Sequence, residues 1–196
     1  ANLQGSKLIR MGSGADAWAQ KLTYGLDYTR AQVVNLQTGV TSPAGETFPL
    51  KRFPDTTESS AALFVQDEFI RGPWSITPGV RFDSFRIKAD QAGFAANAVS
   101  LSGHATSPKL GVLYRANEAW SVFGNYAAGF RAPNAGQVNA FFENTVGGYR
   151  TIPNPNLRPE KSQNFEVGMR GRLQALAIEA AAFTGRYKDF IEDLQQ

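Results

Sequence analysis

Apolar and polar residues alternate with a period of two over stretches of ten or more residues, and this confines the chain to long antiparallel strands. From Trp120 to Arg131 the even positions are Trp120, Val122, Gly124, Tyr126, Ala128 and Phe130, and the odd ones are Ser121, Phe123, Asn125, Ala127, Gly129 and Arg131. Successive side chains of a strand point to opposite faces, so one face is apolar with an aromatic at each end. The stretch from Trp74 divides in the same way: Trp74, Ile76, Pro78, Val80 and Phe82 against Ser75, Thr77, Gly79, Arg81 and Asp83. The split recurs around Leu22 to Tyr28, Leu110 to Tyr114 and Phe165 to Met169. Two stretches are less clean, because Asp67 shares a face with Leu63 and Val65, and Phe183 with Glu179. At least six strands are predicted, each near or above ten residues, where soluble strands run to about five or six. A partial strand over Leu3–Arg10 raises the number to seven or eight.

Alternation alone leaves open whether the apolar face meets a protein core or lipid, and the connections separate the two. Arg71-Gly72-Pro73, Asn117-Glu118-Ala119 and the region of Leu173-Gln174-Ala175 read as tight turns, whereas Val33 to Ser59, Ala89 to Thr106 and Pro133 to Lys161 read as long polar loops. Short turns on one side and long loops on the other form the arrangement of outer-membrane barrels, with the loops outside the cell. Ten residues from Trp120 to Phe130, at about 3.4 Å each and a tilt of about 40°, rise roughly 26 Å, which suits an apolar band of about 25 Å. The predicted fold class is therefore all-β, an antiparallel transmembrane β-barrel segment. The alternative is a soluble β-sandwich serving as an adhesion or carbohydrate-binding module.

Composition excludes several other classes. No apolar run reaches the length of about eighteen residues that a membrane helix needs. No secretory signal is visible at Ala1-Asn2-Leu3. With no cysteine there is no disulfide framework and no thiolate site, and the +3 charge is scattered, which gives no nucleic-acid footprint. No Gly-x-Ser-x-Gly elbow, His-Glu-x-x-His or phosphate loop occurs. Neighbouring acids such as Asp67 with Glu68 and Glu192 with Asp193 would point to opposite strand faces, which does not suit paired carboxylate catalysis. The chain is not expected to be an enzyme.

One segment carries more specific information. The alternating strand that starts at Trp120 ends in Phe130, Arg131, Ala132 and Pro133, and about twenty residues later Asn154, Pro155, Asn156 and Leu157 open the next strand. This ordered pair resembles the FRAP and NPNL boxes of TonB-dependent outer-membrane receptors for haem and haemoproteins. The resemblance implies that residues 1–196 are part of one β-barrel domain of about 22 strands, an internal piece of a larger receptor in the bacterial outer membrane. It also implies haem as the transported ligand, with no permanently bound cofactor, a haem or haemoprotein partner met on extracellular loops, and contact with the lipid membrane. The TonB complex would be reached through a plug domain that is not recognisable in this chain. A ferric-siderophore receptor of the same fold is the nearest rival.

What the resemblance implies for individual residues stays divided. Arg131 either holds a haem propionate or anchors the loop to the wall. The prolines at 133, 153, 155 and 159 stiffen the loop or merely end the strands. Receptors of this type commonly place a haem-ligating His between the two boxes, and none lies between Pro133 and Asn154. Tyr149, beside Arg150, is then the candidate metal ligand to haem iron, or else a loop aromatic that meets a partner. The lone histidine, His104, expected at the end of the preceding long loop, is the second candidate, or a surface histidine that ligates nothing. Phe141 and Phe142 would clamp a porphyrin or fold inward. The Phe48–Pro54 knot would meet propionates or pack as a compact loop.

Overall fold

The computed structural model describes residues 1–13, 17–42, 46–144, 147–173 and 175–191. Its strands and one short helix run in the order β1 (Asn2–Met11), β2 (Trp18–Val33), β3 (Thr56–Arg71), β4 (Trp74–Ala89), β5 (Leu101–Arg115), β6 (Trp120–Arg131), α1 (Ala135–Asn139), β7 (Phe142–Asn144), β8 (Tyr149–Thr151), β9 (Glu160–Leu173) and β10 (Leu176–Lys188). Eight of them form one open sheet in the order β1-β2-β3-β4-β5-β6-β9-β10, every pair antiparallel, and β7 and β8 make a separate hairpin. This is the meander expected from the alternation, with the long connection between β6 and β9 holding α1 and the hairpin.

The expected partial strand at Leu3–Arg10 is a complete one, matched with β2 from Asn2↔Asp27 to Met11↔Trp18. Lys7 stands among Leu3, Gly5 and Ile9 on one face, which weakens its apolar pattern in the sequence. The Arg71–Trp74 turn is set by Gly72 at φ +53, a left-handed value that glycine adopts without steric cost. At the next turn the Asn117 side chain accepts from the N–H groups of Ala119 (2.9 Å) and Trp120 (2.8 Å). In the third expected turn, Gln174 lies outside the described residues, as do Glu192 and Asp193.

Register assigns each strand residue to a face. Tyr24, Leu26, Leu63, Val65, Val80, Phe82, Leu110, Phe165 and Val167 fall on one face, called the outer face, and remain 40 to 63% exposed. A continuous apolar surface of this extent has no protein covering and matches the lipid-facing band of a barrel. The opposite, inner face carries the charges in paired form: Arg81 bridges Asp27 (2.5 Å) and Asp83 (2.9 Å), and Arg170 meets Glu179 at 3.0 Å with its guanidinium 4.5 Å above the Phe123 ring. Inner-face rings lie flat across glycines, so a Cβ at Gly168 would stand 2.5 Å from Phe123 Cζ. Buried apolar residues of this face include Ala62, Phe85, Ile87 and Ala105 toward the loop end, and Phe94 and Val138 are buried in the loops.

One expectation needs correction here. The loop expected from Ala89 to Thr106 is shorter, because β5 begins at Leu101. Phe130 keeps the outer-face register expected of it, opposite Lys161, and its ring reaches to 6.3 Å from that of buried Phe85. The β5–β6 ladder explains the room for this contact: it runs only from Arg115↔Ser121 to Lys109↔Ala127 and stops beside Pro108, which has no N–H to give. Above that point β5 keeps its partner β4 as far as Ile87↔Leu101.

Candidate ligand-binding site

The FRAP box closes β6, and the NPNL box ends just before β9 begins. Arg131 and Glu160 are register partners, and the guanidinium grips the carboxylate with two parallel bonds, Nε to Oε2 and Nη2 to Oε1, both 2.6 Å. Glu160 Oε1 also accepts from the Ile191 N–H at 2.9 Å, so one carboxylate ties together β6, β9 and the segment after β10. Such a fork is geometrically selective as well as charge-assisted. It occupies Arg131 in holding the two ends of the loop. Ala132 is half-buried and Pro133 buried beside it.

Between these ends the chain folds inward over the sheet. Asn134 opens α1 with a reciprocal cap: it accepts from the Gln137 N–H at 2.8 Å, and Gln137 Oε1 accepts from the Asn134 N–H at 3.1 Å. A second α1 donor, Ala135 N–H, reaches Glu58 Oε1 on β3 at 2.7 Å. Asn139, fully buried, binds the backbone of Val99 twice, accepting from its N–H at 2.7 Å and donating to its carbonyl at 2.8 Å. The Asn154 N–H donates to the Val138 carbonyl at 2.9 Å, and Asn154 Oδ1 accepts from Asn156 N–H at 3.0 Å. The NPNL box is thereby tied to α1 through its first residue, with Pro155 exposed and Leu157 half-buried.

A second loop, residues 34–55, lies against this one. Arg52 is its hub. The guanidinium forks onto Glu46 (2.5 and 2.8 Å) and stands 4.7 Å above the Phe142 ring, while the Arg52 carbonyl accepts from the Phe141 N–H at 2.7 Å. Lys51 donates to Asp55 at 2.8 Å. That bond, followed by the Asn35 N–H, holds the Asp55 carboxyl below the usual aspartate range. The Phe48–Pro54 knot is thus a packed loop whose two cations already have carboxylate partners. A recess of about 290 Å³ opens between it and the β7 side of the hairpin, lined by Glu46, Lys51, Arg52, Gly93, Phe141 and Glu143 among others.

The candidate residues are not all brought together. Phe141 packs edge-on against Phe94 at 6.0 Å and so belongs to the loop core. Phe142 and Tyr149 form a tilted pair at 5.8 Å on the β7–β8 hairpin, with Tyr149 44% exposed. Arg150 stands opposite Glu143 in the hairpin register and is exposed. Being consecutive in β8, Tyr149 and Arg150 point to opposite faces.

His104 is elsewhere, and its expected place in a loop is corrected. It sits inside β5, opposite Ser84, exposed on the outer face with its ring 6.2 Å from that of Phe82. The outer face of β5 turns polar above Leu110, which is why the sequence suggested a loop there. The structure adds residues that the pattern did not single out: Glu58, Val99, Arg52 as a hub, and Asn139. The Asn134…Gln137 spacing was the one legible signal for α1.

Among the described residues no three His, Cys, Asp or Glu side chains gather as a metal site. No helix is long and apolar enough to cross a membrane, which leaves crossing by strands open.

Comparison with known proteins gives a consistent picture. The family model described as "TonB dependent receptor-like, beta-barrel" matches residues 3–196. The chain is 29% identical over 187 residues to the hemin receptor of Yersinia enterocolitica, a match that takes in 87% of this chain and 25% of that receptor. Among solved structures, the Serratia marcescens hemophore receptor HasR, in complex with its hemophore HasA and heme, superposes with a TM-score of 0.71 at 18% identity, over 96% of this chain and 33% of the other. The ferric citrate transporter FecA gives 0.63 at 20% identity, over 95% and 27%. The chain therefore spans about a quarter to a third of the proteins it matches.

Proposed function

Because the chain belongs to the TonB-dependent receptor β-barrel family, we propose that it supplies part of the wall and of the extracellular loops of an outer-membrane receptor that binds haem or a haem-carrying protein for TonB-driven uptake. The plug that meets TonB comes, in this reading, from another part of the receptor. The observation that carries the proposal is the Arg131–Glu160 clasp, which joins the end of β6, where the FRAP box lies, to the start of β9, just after the NPNL box, and so closes the loop into one unit at the loop end of the inner face. That unit presents the Phe142–Tyr149 pair on an exposed hairpin. The relatives, a hemin receptor and a receptor in complex with its hemophore and heme, support the same ligand class.

The residues divide the work by position. Arg131 is an anchor, with the Nε–Nη2 edge of its guanidinium taken up by Glu160. Prolines and the α1 cap hold the loop in one shape, which reduces the ordering cost of binding a rigid flat ligand. Tyr149 supplies an exposed ring and hydroxyl, and Phe142 beside it adds apolar area. His104, facing outward from β5, stands away from this unit. The function is binding and gated import with no covalent step, in keeping with relatives that are receptors and transporters.

A second reading, uptake of a ferric siderophore, is favoured by the missing histidine between the boxes and by the fold shared with a ferric citrate transporter. Haemin titrated into the detergent-solubilised receptor, with a ferric siderophore as comparator, separates the two. A saturable shift of the Soret band is the expected result. No shift, with siderophore binding intact, would move the function to iron-chelate uptake.

A further inference from the structure

The β7–β8 hairpin needs support from outside itself. It has three residue pairs, Phe142↔Thr151, Glu143↔Arg150 and Asn144↔Tyr149, and it forms no ladder with the eight-stranded sheet. A two-stranded ribbon without further packing is marginally stable at best. The turn is closed locally, with the Gly148 N–H on the Asn144 carbonyl and the Gly147 N–H on Asn144 Oδ1, both at 2.8 Å. The base is held from a different connection, the one between β2 and β3. There the Arg52 carbonyl accepts from the Phe141 N–H at 2.7 Å, and Arg52 Cζ stands 4.7 Å from the centre of the Phe142 ring.

The Arg52 side chain is itself fixed. Nε donates to Gln37 Oε1 at 3.2 Å, and Nη1 and Nη2 donate to the Glu46 carboxylate at 2.5 and 2.8 Å. The Arg52 N–H reaches Asn35 Oδ1 at 2.7 Å, and beside it Gln37 and Leu50 exchange both backbone bonds. Bonds in the plane of a guanidinium leave its faces open to a ring, an arrangement available to arginine and not to lysine. Phe142, half-buried, in turn meets the Tyr149 ring at 5.8 Å. A line of contacts therefore runs from Glu46 and Gln37 through Arg52 and Phe142 to the exposed Tyr149.

We propose that Arg52 is a positioning residue of the ligand site: acting through Phe142, it holds the Phe142–Tyr149 pair in its outward setting, so that loop 34–55 governs the affinity of a surface carried by another loop. The proposal rests on the reading above that this pair meets the ligand. Side chains already held in place lose less freedom when a rigid flat ligand binds, and the gain is lost once the hold is released.

The test uses the full-length receptor in mild detergent, with haemin titrated into the wild type, Arg52→Met, Phe142→Leu and the double variant. Arg52→Met should weaken haemin binding about threefold to tenfold. In the Phe142→Leu background the same change should cost less than about twofold, because its route is gone. Without ligand, Arg52→Met should also speed amide exchange over residues 142–144 and 149–151 and leave β6 and β9 unchanged. Unaltered haemin affinity in Arg52→Met, its full effect persisting without Phe142, or unaltered hairpin exchange would each overturn the assignment. If Arg52→Met fails to fold, Arg52→Lys, which keeps the charge and loses the fork, is judged by the same outcomes. Haemin that fails to bind the wild type strikes the ligand class instead, and the hairpin exchange, read without ligand, still decides for or against Arg52.

Discussion

Tyr149 and His104 are the two candidate iron ligands, and the structure sets them apart. Both entered as iron-ligand candidates because tyrosine and histidine are ligand chemistries and neither has an obvious packing duty in the sequence. The structure separates them by face: Tyr149 stands on the exposed hairpin against Phe142, and His104 stands on the outer wall against Phe82. In the full receptor, Tyr149→Ala should weaken haemin binding by roughly fivefold or more, from the loss of ring contact alone. His104→Ala should leave the titration unchanged. Equal, unaltered titrations for both variants would remove Tyr149 from the site and leave the barrel intact. Arg131 shows the limit of reading a side chain by its type. Its guanidinium could serve a propionate or a wall carboxylate, and only the register that sets Glu160 opposite it decides which is within reach.

At the scale of elements, what was legible depended on whether an apolar band crossed the element. Trp74 to Phe82 could be placed because each outward residue is apolar and each inward one polar. The pattern fades above Leu110, where Ser102 and His104 stay in the ladder but give the outer face no apolar side chain, so this part of β5 reads as loop. Helix α1 was hidden for a different reason. The stretch Ala135–Asn139 is too short for a 3.6-residue periodicity to register, and it is held by Asn134, Glu58 and Asn139 rather than by its own propensity. Asn134→Ala should therefore cost about 1 kcal/mol locally. Faster amide exchange over residues 135–139, with exchange in β6 and β9 unchanged, is the expected signature. Slowed or unchanged exchange in α1 would show that Glu58 and Asn139 suffice without the cap.

For the molecule as a whole, the open sheet and its uncovered outer face set what the chain does alone. β1 and β10 are the two edges of an eight-stranded sheet, and among the described residues each has one neighbour. Unpaired edges with an apolar face are templates for association. Refolded by itself in detergent, the chain should give no heat-modifiable band and should elute as mixed oligomers, whereas the complete receptor should show the gel shift of a closed barrel. A discrete heat-modifiable monomer would mean that eight strands close unaided. The pairing within the sheet is also uneven. Near the turns β5 is bonded on both sides, but beyond Lys109 and Pro108 it is bonded to β4 alone. The wall is a zip left undone at the top: its lower half is laced, and its upper lips can part without breaking any rung between β5 and β6. Because the FRAP loop leaves from one of those lips, the seam is stitched at the top by side chains alone, the Asn139 amide on Val99 and the Phe130 ring beside Phe85, while the base of the wall is held by its ladder.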